Sequence, residues 1–193
     1  MLQDRFCIQS EAQIKEILSV QDMIDCNFEN SACNGGYLVT AVDFLLSEGV
    51  TTESCMPYQN KKERCTFKCQ DDNQTYLKYY CKRNTLNIET DVREIQREIY
   101  ENGPVSITMY VYEDFLNYSD GVYEQTAGSL MSGHAMRTHG WGHDEDGHLY
   151  WLVMNQWSNE WGEKGVVKMK AGNVGVDNFA VSCNPDMIVT AID

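Results

Sequence analysis

Between Gly36 and Ser47, the apolar residues Leu38, Ala41, Val42, Leu45 and Leu46 recur at the 3.6-residue period of an amphipathic helix, and Gly49 supplies a stop. A second helix is predicted behind Thr90 or Asp91 as cap, with Val92, Ile95 and Ile99 on one face and Gly103-Pro104 at its end. Ser19-Val20-Gln21-Asp22 reads as an N-cap followed by an acidic first turn. From Cys55 to about Lys82 the pattern fades into a polar stretch rich in Lys, Asp and Gln, which predicts loop. Beyond Pro104 the period shortens. Val105 to Val111 alternates apolar with smaller or polar residues, and His148–Met154 and Gly165–Met169 also read as strands. Asp144-Glu145-Asp146-Gly147 lies between two aromatic-rich runs and signals a hairpin turn. A helical half therefore precedes a strand-rich half. The predicted class is α+β with two subdomains, about 1–88 and 89–193.

Composition narrows the setting. The 193 residues suffice for one large domain or two small ones, and 42% hydrophobic content can supply a core. The net charge of −14 repels phosphates and anionic lipid surfaces, so neither nucleic acid nor membrane is an expected partner. No apolar run approaches the ~20 residues that a spanning helix needs. Eight cysteines, seven of them in the first 81 residues, change the picture more. With the sequons Asn73-Gln74-Thr75 and Asn117-Tyr118-Ser119 they favour an oxidising route, lysosomal, vacuolar or secreted. The opening MLQDRFCIQS has no basic segment followed by an apolar one, so it is not an export signal. The expectation is that the natural N-terminus lies upstream.

Several ordered stretches carry a resemblance. They are DRFCIQS (Asp4 to Ser10), ACNGGY (Ala32 to Tyr37), NGPVSITMYVYEDFLNYSDGVYE (Asn102 to Glu124), SGHAMRTHGWG (Ser132 to Gly142) and YWLVMNQWSNEWGEKGVVKM (Tyr150 to Met169). Together they resemble the papain family of cysteine peptidases and its cathepsin B branch. The resemblance implies a papain-like fold of two subdomains, a helical left half and a β-barrel-like right half. It also implies an activity, peptide-bond hydrolysis by a thiolate that a neighbouring imidazolium keeps ionised. Papain, the namesake of the family, has this pairing with an asparagine as its third member.

By that resemblance His134 is the base and Asn155, 21 positions later, is the amide that orients it. The separation lets both sit on adjacent strands joined by the hairpin. Trp157 would cover their hydrogen bond from water, and Trp161 would line the leaving-group side of the cleft. Gly35 and Gly36 would let substrate backbone lie close, and Gly133 is likewise expected to face substrate. Each residue also has a plain structural reading: a histidine in a strand, a bonded core amide, large apolar fillers and a helix-entry turn. His139, His143 and His148 match no catalytic position.

The departures matter as much. The family's nucleophile lies in a Gln-x5-Cys-Trp stretch upstream of the DRFCIQS-like segment, and no cysteine here is followed by Trp. Gln156 stands where the family usually has serine. The resemblance predicts disulfides Cys26–Cys65 and Cys55–Cys69, and leaves Cys7 and Cys33 without partners in these residues. Cys81 and Cys183 match nothing in it, though they could bond each other. A zinc site is rejected because Cys55, Cys65 and Cys69 lack a tight second pair and a nearby histidine. No metal or cofactor is expected. The short loop between Cys55 and Cys65 lacks the histidine pair with which cathepsin B blocks its cleft, which implies endopeptidase-like architecture. Phe179, where that branch has an acidic residue, implies an apolar main specificity pocket. The leading expectation is a cysteine-type peptidase acting on peptides or proteins in its complete form, with this chain inactive for want of the nucleophile. The rival is a non-catalytic papain-fold homologue that binds peptides or a partner protein.

Overall fold

The computed structural model describes residues 1–191. Four helices are present, α1 (Leu2–Gln9), α2 (Val20–Cys26), α3 (Leu38–Ser47) and α4 (Val92–Asn102). The strands are β1 (Leu77–Lys78), β2 (Asn87–Glu89), β3 (Val105–Tyr112), β4 (Val122–Tyr123), β5 (Leu130–His143), β6 (Leu149–Met154), β7 (Val166–Lys170), β8 (Ala180–Ser182) and β9 (Thr190–Ala191). Two compact units result. Leu2–Asn87 and the chain from Cys183 onward form one, and Met1 with Ile88–Ser182 forms the other.

The strand-rich unit is ordered by alternation. Along β3, residues 105, 107, 109 and 111 are buried while their neighbours are not, as a two-residue period requires. These side chains join Ile95 and Ile99 of α4 and Trp151, Val153, Val167 and Met169 of β6 and β7 in one apolar core. Full burial of each large aliphatic side chain contributes about 1.5–3 kcal/mol. The cap of α4 is Asp91, whose carboxylate accepts from the N–H groups of Arg93 and Glu94. The sheet runs β2-β8-β3-β5-β6-β7-β4. The β3–β5, β5–β6, β6–β7 and β3–β8 pairs are antiparallel and β4–β7 is parallel. The barrel-like half implied by the resemblance is therefore an open mixed sheet. Its edge strands, β2 of three residues and β4 of two, stand at opposite ends of the order and do not pair.

The other unit is built from short helices and cross-links. Ser19 Oγ accepts from the N–H of Asp22 at 3.0 Å and starts α2. The third helix begins at Leu38 rather than Gly36, because Gly35 (φ 100°) and extended Tyr37 still belong to the approaching turn. Residues 2–9, which include most of the DRFCIQS stretch, are helical. The polar stretch predicted as loop is interrupted by β1, whose Leu77 and Lys78 pair with Ala191 and Thr190 of β9.

Disulfides link Cys26 to Cys65, Cys55 to Cys69 and Cys81 to Cys183. Half-buried Cys7 and exposed Cys33 are free thiols. Lys78 and Asp22 form a fully desolvated ion pair at 2.7 Å. The N–H of Thr51 and the hydroxyl of Tyr76 also donate to the Asp22 carboxylate, and Lys78 Nζ donates to the Gly49 carbonyl. Those bonds offset the cost of removing two charges from water.

Candidate active site

The strand pair β5–β6 turns through Asp144–Gly147. The Asp144 carboxylate accepts from the N–H groups of Asp146 and His148, and Gly147 takes φ 83°, which a residue without Cβ adopts freely. Antiparallel register from that turn sets Met154 opposite Arg137. Asn155 follows at once, anchored by its N–H to the Gly165 carbonyl at 2.8 Å. His134 enters from the other side, held in β5 opposite Met109 of β3. Two strands thus bring residues 21 positions apart within 2.9 Å, His134 Nε2 to Asn155 Oδ1.

The bond has a defined direction. Asn155 Oδ1 also accepts the backbone N–H of Gln156 at 2.9 Å. A backbone N–H can only donate, so the side-chain atom facing it is the amide oxygen. His134 Nε2 must then carry a proton and donate, which leaves the lone pair of the neutral imidazole on Nδ1. Asn155 is 5% exposed, and its Nδ2 has no hydrogen-bond partner among the described residues.

An aromatic group packs beside His134. Trp157 stacks on the His134 ring, with centroids 5.5 Å apart and planes at 26°. Trp161 meets Trp157 edge-on at 5.2 Å, and fully buried Phe115 touches both indoles. Phe115 belongs to a 3-10 turn, Glu113–Asn117, and Trp161 Nε1 donates to the Leu116 carbonyl at 3.2 Å. Tyr118 closes the turn and donates its hydroxyl to the Gly121 carbonyl at 2.7 Å. Burial pushes the Tyr118 phenol up to about 12; the N–H of Lys168 pulls it down, and the Glu163 carboxylate adds to the rise.

His134, Asn155, Trp157 and Trp161 are therefore one cluster. Gly133 precedes His134 in β5, exposed, with the nearest atom to an added Cβ being the Met109 carbonyl oxygen at 4.0 Å. Phe179 is half-buried in the same unit and accepts the Thr108 N–H through its carbonyl, one strand from His134. Gly35 and Gly36 lie in the other unit. A Cβ on Gly35 would meet nothing within 4 Å, whereas one on Gly36 would collide with Asn30. The sequence reading missed the Gln156 N–H and the Phe115–Tyr118 turn. The first is a backbone group that no residue type announces, while the aromatic spacing of the turn offered a signal. Asp144, Asp146 and His148 place ligand atoms within 4.8 Å of one another on the exposed hairpin, but the bonds that close the turn account for that grouping.

Comparison with known proteins points the same way as the geometry. A family profile described as papain family cysteine protease matches residues 1–184. The chain is 34% identical to Cathepsin B-like protease 1 of Arabidopsis thaliana, over 95% of this chain and 53% of that protein. It is 36% identical to Cathepsin B-like cysteine proteinase 3 of Caenorhabditis elegans, over 89% of this chain and 52% of that protein. The chain thus spans about half the length of these curated relatives. Among solved structures it superposes on procathepsin B S9 from Trypanosoma congolense with a TM-score of 0.88 at 26% identity, covering 95% of this chain and 65% of that one. The bromelain protease of Ananas comosus, solved with the E64 inhibitor, gives 0.78 at 24% identity, over 95% of this chain and 84% of that one, and supports the fold alone.

Proposed function

The chain belongs to the papain family of cysteine proteases, in its cathepsin B-like branch, and from that premise we propose that His134 and Asn155 are the base and orienting amide of a thiol peptidase acting on peptides or proteins. The observation that carries this reading is the double acceptance at Asn155 Oδ1, from Gln156 N–H and His134 Nε2. It leaves Nδ1 as the ring nitrogen able to take a proton. The thiol gives its proton to Nδ1, and its sulfur adds to the scissile carbonyl carbon. The C–N bond then breaks as the imidazolium returns the proton to the leaving amine, and water hydrolyses the thioester. Asn155 holds the imidazolium in place while it exists, and stacked Trp157 keeps water from competing for that bond.

The strand-rich unit offers no thiol of its own, since residues 88–182 contain no cysteine. In the other unit six cysteines are oxidised, and only Cys7 and Cys33 are free. The resemblance places neither free thiol at the nucleophile's position, so on this reading the 193 residues by themselves do not act as a peptidase. Phe179 in the main specificity pocket favours aliphatic or aromatic substrate side chains. Gly133 accommodates substrate backbone, and Trp161 faces the leaving group. Without a histidine-bearing blocking loop, cleavage is internal to the chain of the substrate. Three disulfides fit a lysosomal, vacuolar or secreted setting. No helix among the described residues is long and apolar enough to cross a membrane.

A thiol-directed epoxide probe tests this. The 193-residue chain should stay unlabelled. Joined at its N-terminus to the nucleophile-bearing segment of a cathepsin B-like relative, it should be labelled and should cleave peptides, and His134→Ala should abolish both. Peptide-competed labelling of the bare chain would place the nucleophile elsewhere. A folded fusion that binds peptides yet takes no label would favour the non-catalytic alternative.

A further inference from the structure

Two sequons are left unused by the peptidase reading, and in Asn73-Gln74-Thr75 the Asn73 amide already donates to Asp71 Oδ1. Asn117-Tyr118-Ser119 ends the 3-10 turn Glu113–Asn117, and the turn sorts its residues sharply. Phe115 is fully buried and Tyr118 is 8% exposed, so both anchor the segment, while Leu116, Asn117 and Ser119 face solvent. The Tyr118 N–H to Phe115 carbonyl bond at 3.2 Å and the Tyr118 hydroxyl on Gly121 fix the backbone on either side. No hydrogen bond ties the Asn117 side chain among the described residues. A large hydrophilic group on its amide nitrogen would disturb no packed atom.

We propose that Asn117 is an N-glycosylation site and that its carbohydrate stands beside the Trp161 edge of the aromatic group. The sequon supplies the acceptor amide and the hydroxyl two residues on. The three disulfides supply the second condition, a chain matured in an oxidising lumen, where such transfer takes place. The donor class is an oligosaccharide carried on a polyprenyl diphosphate. Its C1–O bond to the diphosphate breaks, a C1–N bond to Asn117 Nδ2 forms, and the amide proton leaves with the released diphosphate. No electrons change hands.

Placement gives the modification a consequence. The Trp161 indole N–H is bonded to the carbonyl of Leu116, the residue directly before Asn117. A sugar rooted at Asn117 therefore shields the indole edge and the exposed Leu116 side chain. If Trp161 faces the leaving group, as proposed above, the glycan restricts bulky substrates on that side. That consequence rests on the peptidase reading, whereas occupancy of Asn117 does not.

The experiment is secretion of the full chain behind an export leader from a eukaryotic host, followed by peptide mapping. Digestion with peptide-N-glycosidase should convert the asparagine at 117 to aspartate, with the matching change in peptide mass. Ser119→Ala should abolish that change and Ser119→Thr should keep it, and both are surface substitutions compatible with folding. Hydroxyl-radical oxidation of Trp161 should rise once the glycan is removed. An unmodified 117 peptide in the secreted protein, or carbohydrate persisting there in Ser119→Ala, overturns the site. Equal Trp161 oxidation before and after digestion overturns the placement.

Discussion

The two units reach order by different means. The strand-rich unit holds no cysteine and relies on a sheet ladder over one continuous apolar core. The other unit holds all eight cysteines, three disulfides and a buried ion pair, and its cluster of Met56 and Tyr76 packs around the Cys55–Cys69 bridge. The contrast shows where the protein depends on its surroundings. One unit needs only water to drive burial, whereas the other also needs an oxidant.

Removing the Cys81–Cys183 bridge should break the contrast open most widely. Its 102-residue separation makes it the longest closure in the chain, and chain-entropy arguments assign such a loop about 4–5 kcal/mol. In Cys81→Ser/Cys183→Ser, hydrogen exchange should show α3 amides losing protection while β6 and β7 stay protected. Equal loss in both units would dissolve the distinction. A smaller effect follows from Lys78→Met, which strands the Asp22 carboxylate in the interior and should cost about 3–5 kcal/mol in urea unfolding. The double variant Asp22→Asn/Lys78→Met should recover part of that loss, and a single variant as stable as the parent would remove the ion pair from the account.

The smallest effect lies in the other unit and concerns acid. Burial opposes the charge of Asp114, but the N–H of Thr126, the hydroxyl of Tyr123 and the N–H groups of Ala127 and Phe115 outweigh it and hold the carboxyl below its ordinary range. A depressed folded value stabilises the fold above the unfolded carboxylate value of about 3.9, and that contribution is lost as pH falls through the lower folded value. Asp114→Asn should therefore flatten the acid limb of the stability curve. An NMR titration of Asp114 with its midpoint at or above the ordinary range would contradict this.

Much of this was legible in the residues, for identifiable reasons. The fourth helix announces itself through Asp91 as cap, Val92, Ile95 and Ile99 at helical spacing, and Gly103-Pro104 at the end. The hairpin is legible because Asp144 and Gly147 are the residue types that close such turns, and with it comes the approach of His134 to Asn155. What stayed hidden is non-local or belongs to the backbone. The pairing of Leu77 with Ala191 joins distant stretches with no shared pattern. The open sheet depends on how short β2 and β4 are, which alternation over two or three residues cannot signal. The orientation of the Asn155 amide is set by a peptide N–H.

The bridge between Cys81 and Cys183 has one more consequence. In covalent terms the intervening residues form a closed lasso, with the two tails of the chain leaving from a single knot of sulfur. A single cut by a protease anywhere along that lasso opens it without shedding a fragment. A nicked molecule would migrate as one species until a reductant is added, and only then part into two.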